Sequence, residues 1–402
     1  MSHLSLHNHL KEIFSLEPRE IDLTSDLILR NYDFHSSGTK WIGQKPGAPP
    51  DDLLKRLGPE AQASQLADLF DKLDPQIDEN LNFRYFVIGP KDPPKSSQAI
   101  ILLHGLNERF WDKYLPMAVY LARNTKKSVL LFPTSFHMNR SPALWTEAKL
   151  MRSLSQWRKS LYPDLEEGSL SNAAISFRLQ KDPARFFWSG LQMFEDLVAL
   201  VKAIIAGQHP AFAPNSSIDF FTYSIGTFIS EIVFMTNPEN LFSKSRLVLF
   251  CGGPVFSRMK ATSKFIIDSL ANHSLSTFLL TDLKANRQND PHLDFHLGQT
   301  PLGQSFLAML DLDSGQDYRE ERLKALSSRI LALALEKDSV VPAAEVLRTL
   351  QGARSQIDIP VSLIKPSYPY RHEDPFPTLA KYESQVDEWF DRIMSQASEF
   401  LR

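Results

Sequence analysis

The chain has 402 residues, of which 43% are hydrophobic and 23% charged, ordinary globular values that exclude wholesale disorder. A formal net charge of −3 excludes the strongly basic balance on which nucleic-acid binding depends, and the single cysteine, Cys251, excludes an internal disulfide framework. No apolar run approaches the roughly 20 residues of a membrane helix, and the first residues, MSHLSLHNHLKEIFSL, lack the basic and apolar regions of a secretory signal, so a cytoplasmic protein is expected.

Residues 1–80 read as an N-terminal extension. Within it, the Pro- and Gly-rich stretch 43–50 is an irregular connection, since those residues sustain neither helix nor inner strand. The His3, His7, His9 cluster reads as a mobile end, and the charges of Lys91–Lys95 as a solvated face. The first strand signal is the unbroken apolar run Ala99–Leu103, closed by His104-Gly105. A helix follows over 110–124, where Leu115, Val119 and Ala122 recur at helical spacing. Ser128–Phe132, stopped by Pro133, is a second strand. Runs of this length, apolar throughout and closed by Gly or Pro, suit a parallel sheet buried on both faces.

The stretch 134–184, rich in Trp, Arg and Ser, is too long for a simple connection and reads as a lid or cap insertion; its Trp157-Arg158-Lys159 reads as a solvated face. A helix over 188–206 follows, striped by Met193, Leu197, Val201 and Ile204. Leu247–Phe250, closed by Cys251-Gly252-Gly253-Pro254, is another strand, and Cys251 reads as a buried strand-end residue. A second long insertion, 255–328, contains His292 and His296 four residues apart. Zinc binding needs further ligands that the segment lacks, and a cap surface is the preferred reading. The 27 phenylalanines fit either a bulky core or an aromatic wall for an apolar substrate.

Alternation of strand and helix predicts an α/β fold with a doubly wound, mostly parallel sheet over residues 81–402. The chemistry concentrates where its strands end. In Ile218–Met235 an aromatic strand pattern changes to helical spacing at Ser224. A sharp strand-to-helix turn there exposes the hydroxyl above the sheet and requires small neighbours. Gly226 satisfies this two residues on; Thr222 stands where glycine is usual. An oxyanion hole needs two converging N–H groups, and the candidates are Ile225 and Leu106, with Gly105 allowing close backbone approach. His104 reads as a structural residue that orders this loop by hydrogen bonds.

The strand-like run Ile330–Leu335 leads to Asp338, and Val361–Ile364 leads to the loop carrying His372. Asp358 and Asp374 compete with Asp338 for the acid role, and His372 has an ordinary reading as a loop histidine bonded to Glu373 or Asp374. Serine, aspartate and histidine thus each follow a strand C-terminus, where α/β sites are built.

In this order of strand, His-Gly loop, serine elbow, aspartate and histidine the chain resembles the α/β-hydrolase superfamily. The resemblance spans roughly residues 80–400, without the two insertions. It implies Ser224 as nucleophile, His372 as base, Asp338 as orienting acid, and no metal or organic cofactor. A small-molecule ester is the expected substrate. An amidase or acyltransferase on the same residues, or a non-catalytic hydrolase-fold binding protein, are the alternatives.

Overall fold

The computed structural model describes residues 2–37, 72–91 and 95–402; the connection at 43–50 lies outside them. Nine strands form one sheet: β1 (Glu20–Asp22), β2 (Leu27–His35), β3 (Asn82–Pro90), β4 (Ser96–Leu103), β5 (Ser128–Leu131), β6 (Phe212–Tyr223), β7 (Leu247–Phe250), β8 (Ile330–Leu335) and β9 (Val361–Ile364). Their order is β1-β2-β3-β5-β4-β6-β7-β8-β9. From β5 to β9 every pairing is parallel, while β1, β2 and β3 are joined to one another and to β5 in antiparallel fashion.

The apolar runs are unbroken because alternate side chains enter different cores. In β4, Ala99, Ile101 and Leu103 join one cluster, and Ile100 and Leu102 the other. The helices His3–Ile13, Tyr114–Thr125 and Glu383–Leu401 cover the second face. Arg185–Ile205, Ile225–Thr236 and Ala343–Leu350 cover the first. This is a doubly wound, mostly parallel α/β arrangement. Among the described residues no helix is long and apolar enough to cross a membrane.

Winding reverses at β4. The chain leaves it toward β5 on one side and returns to β6 on the other. Reversal opens a crevice between the C-terminal ends of β4 and β6, because their outgoing loops diverge there. The segments 134–184 and 255–328 are tied together. Buried Arg158 places Nε 3.0 Å and Nη2 2.6 Å from Asp268 Oδ2, and Asn172 Nδ2 donates to the Ser263 carbonyl at 2.9 Å. Asn107, in the loop after β4, donates to the carbonyls of Ser171 (3.0 Å) and Phe265 (2.8 Å), one in each insertion.

Two sequence expectations are corrected. Arg158 is not part of a solvated face: it is 1% exposed, because one carboxylate across the cap satisfies two of its nitrogens. His3 is not on a loose end: it is buried, with its ring 4.6 Å from that of Phe390 and 5.7 Å from Phe376. The 1–80 region also contributes β1 and β2 to the sheet. Of Lys91–Lys95, Lys91 pairs with Asp22 at 3.2 Å, while 92–94 lie outside the described residues.

Candidate active site

Register builds the site. Leu103 of β4 pairs with Thr222 of β6, so the residues just beyond each strand emerge side by side. A Cβ on Gly105 would lie 3.4 Å from the Cβ of Ser224 and 3.3 Å from the Tyr223 ring, so the absent side chain permits the loop's approach. Gly226 is tighter. A Cβ there would stand 2.9 Å from the carbonyl oxygens of both Leu103 and His104, which backbone cannot relieve.

Ser224 sits at the turn with φ 54° and ψ −120°, a conformation that a residue with a side chain adopts only when its surroundings enforce it, at a cost of about 1–3 kcal/mol. Enforcement comes from both sides: Ser224 N–H donates to the Phe250 carbonyl at 3.1 Å, and Thr227 N–H donates to the Ser224 carbonyl at 2.9 Å. Thr222, the departure from the usual glycine, fits through its hydroxyl, which donates to the Val248 carbonyl at 3.1 Å and lies 3.2 Å from Ser230 Oγ.

The three residues expected to act together meet. Ser224 Oγ is 2.7 Å from His372 Nε2, and His372 Nδ1 is 2.7 Å from Asp338 Oδ2. All three are buried, with exposures of 8%, 2% and 6%. Asp338 is fixed through its other oxygen, which accepts from the N–H groups of Val340 (2.9 Å) and Val341 (2.8 Å). A carboxylate held this way fixes the Nδ1–H tautomer and leaves Nε2 able to accept a proton from the serine. Of the rival carboxylates, Asp358 is exposed, and among the described residues it is Asp338, not Asp374, that bonds to His372 Nδ1.

Leu106 and Ile225 line the cavity that also contains Ser224, and among the described residues neither backbone N–H has an acceptor. Ile225 opens the helix Ile225–Thr236, whose N-terminal end favours negative charge. The neighbouring Gly105 N–H is engaged, donating to Tyr114 Oη at 3.0 Å. His104 orders the loop. Its Nε2 accepts from the Thr134 N–H at 3.0 Å, so its Nδ1 donates to the Gly105 carbonyl at 2.9 Å, and burial holds its pKa well below the usual value.

Sequence reasoning missed the residues that clamp the histidine loop. Tyr223 Oη donates to the His372 carbonyl, and Lys113 Nζ donates to the Glu373 carbonyl at 2.9 Å from above the Tyr223 ring. Tyr223 was visible only as the residue before the serine, and nothing in its spacing to His372 announced the bond. Burial pushes the Cys251 thiol well above its usual pKa, so it is no thiolate despite its place beside the serine. His292 and His296 lie on the helix Pro291–Gly298, and the His292 ring stacks 5.1 Å from Trp188.

Two cavities, each of about 80 Å³, share Leu106, Phe186 and Ile225, and one of them contains Ser224. The one containing Ser224 runs under the second insertion, past Phe256, Met259 and Ile267. The other runs past Phe136, Phe187, Phe194, Phe228 and Phe306. Phe186 stands between them, its ring 6.2 Å from Phe228 and 5.8 Å from Phe256. The two readings of the phenylalanines therefore divide: Phe220 and Phe221 are sheet core, whereas these others wall a cavity.

The model of a family of unknown function, DUF6051, matches residues 1–402. No curated protein matches the sequence. Among solved structures the chain is similar to a thermostable esterase from Pseudomonas putida (10% identity, 99% of this chain and 88% of that one, TM-score 0.46). It is also similar to carboxyl esterase 2 from the fungus Tuber melanosporum (11% identity, 80% and 82%, TM-score 0.44). A hyperthermophilic esterase from the archaeon Pyrobaculum calidifontis matches at 13% identity over 80% and 81%, with a TM-score of 0.38. Likeness at this level transfers no activity.

Proposed function

We propose that this chain, which belongs to the DUF6051 family, is a serine hydrolase that cleaves a small-molecule ester through an acyl-enzyme on Ser224. One observation carries the reading: a hydroxyl on a strained turn lies 2.7 Å from an imidazole that is itself 2.7 Å from a buried, doubly braced carboxylate. That combination is costly to maintain and serves nucleophilic attack.

In the proposed reaction Ser224 Oγ attacks the ester carbonyl carbon while His372 Nε2 takes its proton. Asp338 stabilises the imidazolium that results. The N–H groups of Leu106 and Ile225 receive the negative charge that develops on the carbonyl oxygen, each such donor accelerating the step by about 10²–10³. Collapse breaks the bond to the leaving oxygen, to which His372 returns the proton, and the alcohol departs. A water molecule then gives a proton to His372 and attacks the acyl-serine, releasing the acid and restoring the hydroxyl.

A fluorophosphonate probe tests this directly, alongside short p-nitrophenyl esters. Wild type is expected to be labelled and to turn over the esters, Ser224→Ala to do neither, and His372→Ala to react at least about 10³ times more slowly. Labelling that survives Ser224→Ala, or a folded wild type inert to both reagents, overturns the proposal.

A further inference from the structure

The phenylalanine-walled cavity is not wholly apolar. Ser135 and His137, on the loop after β5, are 3% and 8% exposed and line it. His137 Nδ1 lies 2.7 Å from the Ser135 carbonyl oxygen. A carbonyl only accepts, so Nδ1 carries the proton and Nε2 presents a lone pair. Burial, reinforced by the nearby guanidinium of Arg178, pushes this imidazole down to about 4, so the ring is neutral near pH 7.

Among the described residues neither His137 Nε2 nor the Ser135 hydroxyl has a hydrogen-bond partner. Arg185, 7% exposed, lines the same cavity. Its Nε lies 3.4 Å from Asp182 Oδ2 and its Nη1 3.7 Å from Asp74 Oδ1, so it brings positive charge to the cavity wall. Buried polar atoms in folded proteins are nearly always satisfied, and two unsatisfied ones on the wall of one cavity, Ser135 Oγ and His137 Nε2, point to a ligand group.

We infer that this cavity binds an acyl chain bearing a neutral group that both donates and accepts hydrogen bonds, a hydroxyl or a primary carboxamide. The group donates to His137 Nε2 and accepts from Ser135 or Arg185. A carboxylate does not fit, because its lone pairs would oppose that of His137 and because Arg178 and Arg185 already face Asp74 and Asp182. Placing the group on the acyl chain rests on the ester-hydrolase reading; the polar site itself does not.

Binding to full-length Ser224→Ala, measured by calorimetry, tests the inference without turnover. The probes are methyl esters of ω-hydroxy acids of about four to ten carbons, their isosteres with methyl in place of hydroxyl, and the corresponding monomethyl dicarboxylates. At one or two chain lengths the hydroxy ester is expected to bind at least about tenfold more tightly than either analogue, and His137→Phe or Ser135→Ala to shrink that ratio severalfold. Equal or tighter binding of the methyl isostere at every length, no binding of any probe, or a preference that survives both substitutions overturns it. Fluorophosphonate labelling of wild type separates the two claims. A protein labelled at Ser224 without the preference loses only the polar site, and an unlabelled one with the preference loses only the hydrolase.

Discussion

A Cβ placed on Gly226 would stand 2.9 Å from the His104 carbonyl oxygen, so the elbow helix and the loop after β4 meet backbone to backbone. That contact sets the distance between the two N–H groups proposed to hold the oxyanion.

Gly226→Ala is accordingly expected to force the helix and loop apart. Overpacking of this kind costs about 1–3 kcal/mol in stability. Turnover of short p-nitrophenyl esters should fall more steeply than stability, because the oxyanion geometry is disturbed in the folded protein. Wild-type turnover in a stable Gly226→Ala protein would remove the contact from the mechanism.

Asp338→Asn keeps the shape of the group but no longer accepts from His372 Nδ1–H with a full charge. The amide also presents an NH₂ that favours the wrong tautomer of the imidazole. A loss of about 10³–10⁴ in kcat is expected, with folding retained, since the Val340 and Val341 N–H groups still find an oxygen. Burst kinetics with a p-nitrophenyl ester measure it, and a loss below tenfold would reassign the acid.

Thr222→Val preserves shape and removes the hydroxyl that donates to the Val248 carbonyl and meets Ser230. Destabilisation of about 1–2 kcal/mol is expected by urea denaturation. A protein as stable as wild type would show that the threonine is merely tolerated.

Phe186 lines both the cavity that contains Ser224 and the phenylalanine-walled one. Phe186→Ala should merge them, shifting the preferred p-nitrophenyl ester toward longer or bulkier acyl groups. It should also cost up to about 3 kcal/mol, less than for a fully enclosed ring because Phe186 is only half-buried. An unchanged chain-length profile would place the substrate wholly on one side of the ring.

His3, His137 and His209 are each held down to about 4, chiefly by burial. Above pH 6.5 both folded and unfolded chains keep these rings neutral, and they impose no pH dependence. Below it the unfolded chain takes up protons that the folded one refuses, so stability falls progressively from about pH 6.5 to about pH 4. For buried His137 the complete effect is about 3 kcal/mol. Urea midpoints should drop between pH 7 and pH 5, and less steeply in His137→Gln. A flat profile would mean that these rings are protonated in the folded state.

The parallel core was legible because burial on both faces leaves a local mark. Ala99–Leu103, Leu247–Phe250 and Ile330–Leu335 are apolar without interruption, and each is a strand in the structure. The antiparallel strands β1, β2 and β3 were not recognised, although Leu27–Leu29 and Phe86–Ile88 carry a similar signal. β1 and β2 lie within, and β3 just beyond, what reads as an extension, and the pairing of β2 with β3 across residues far apart has no local signature. In the same way Arg158 looked solvated because its partner, Asp268, is 110 residues away.

By itself the sequence determined which residue types stand at the strand ends: a serine where strand becomes helix, then an aspartate and a histidine each past an apolar run. Tertiary structure alone decided that Asp338, and neither Asp358 nor Asp374, reaches His372, and that Tyr223 and Lys113 clamp the loop that carries it. It also decided that two unpartnered polar groups, the Ser135 hydroxyl and His137 Nε2, share an otherwise apolar cavity. The physical reason is range. Hydrophobic periodicity and turn chemistry act over a few neighbouring residues, whereas a hydrogen bond between distant loops depends on the register and winding of the whole sheet.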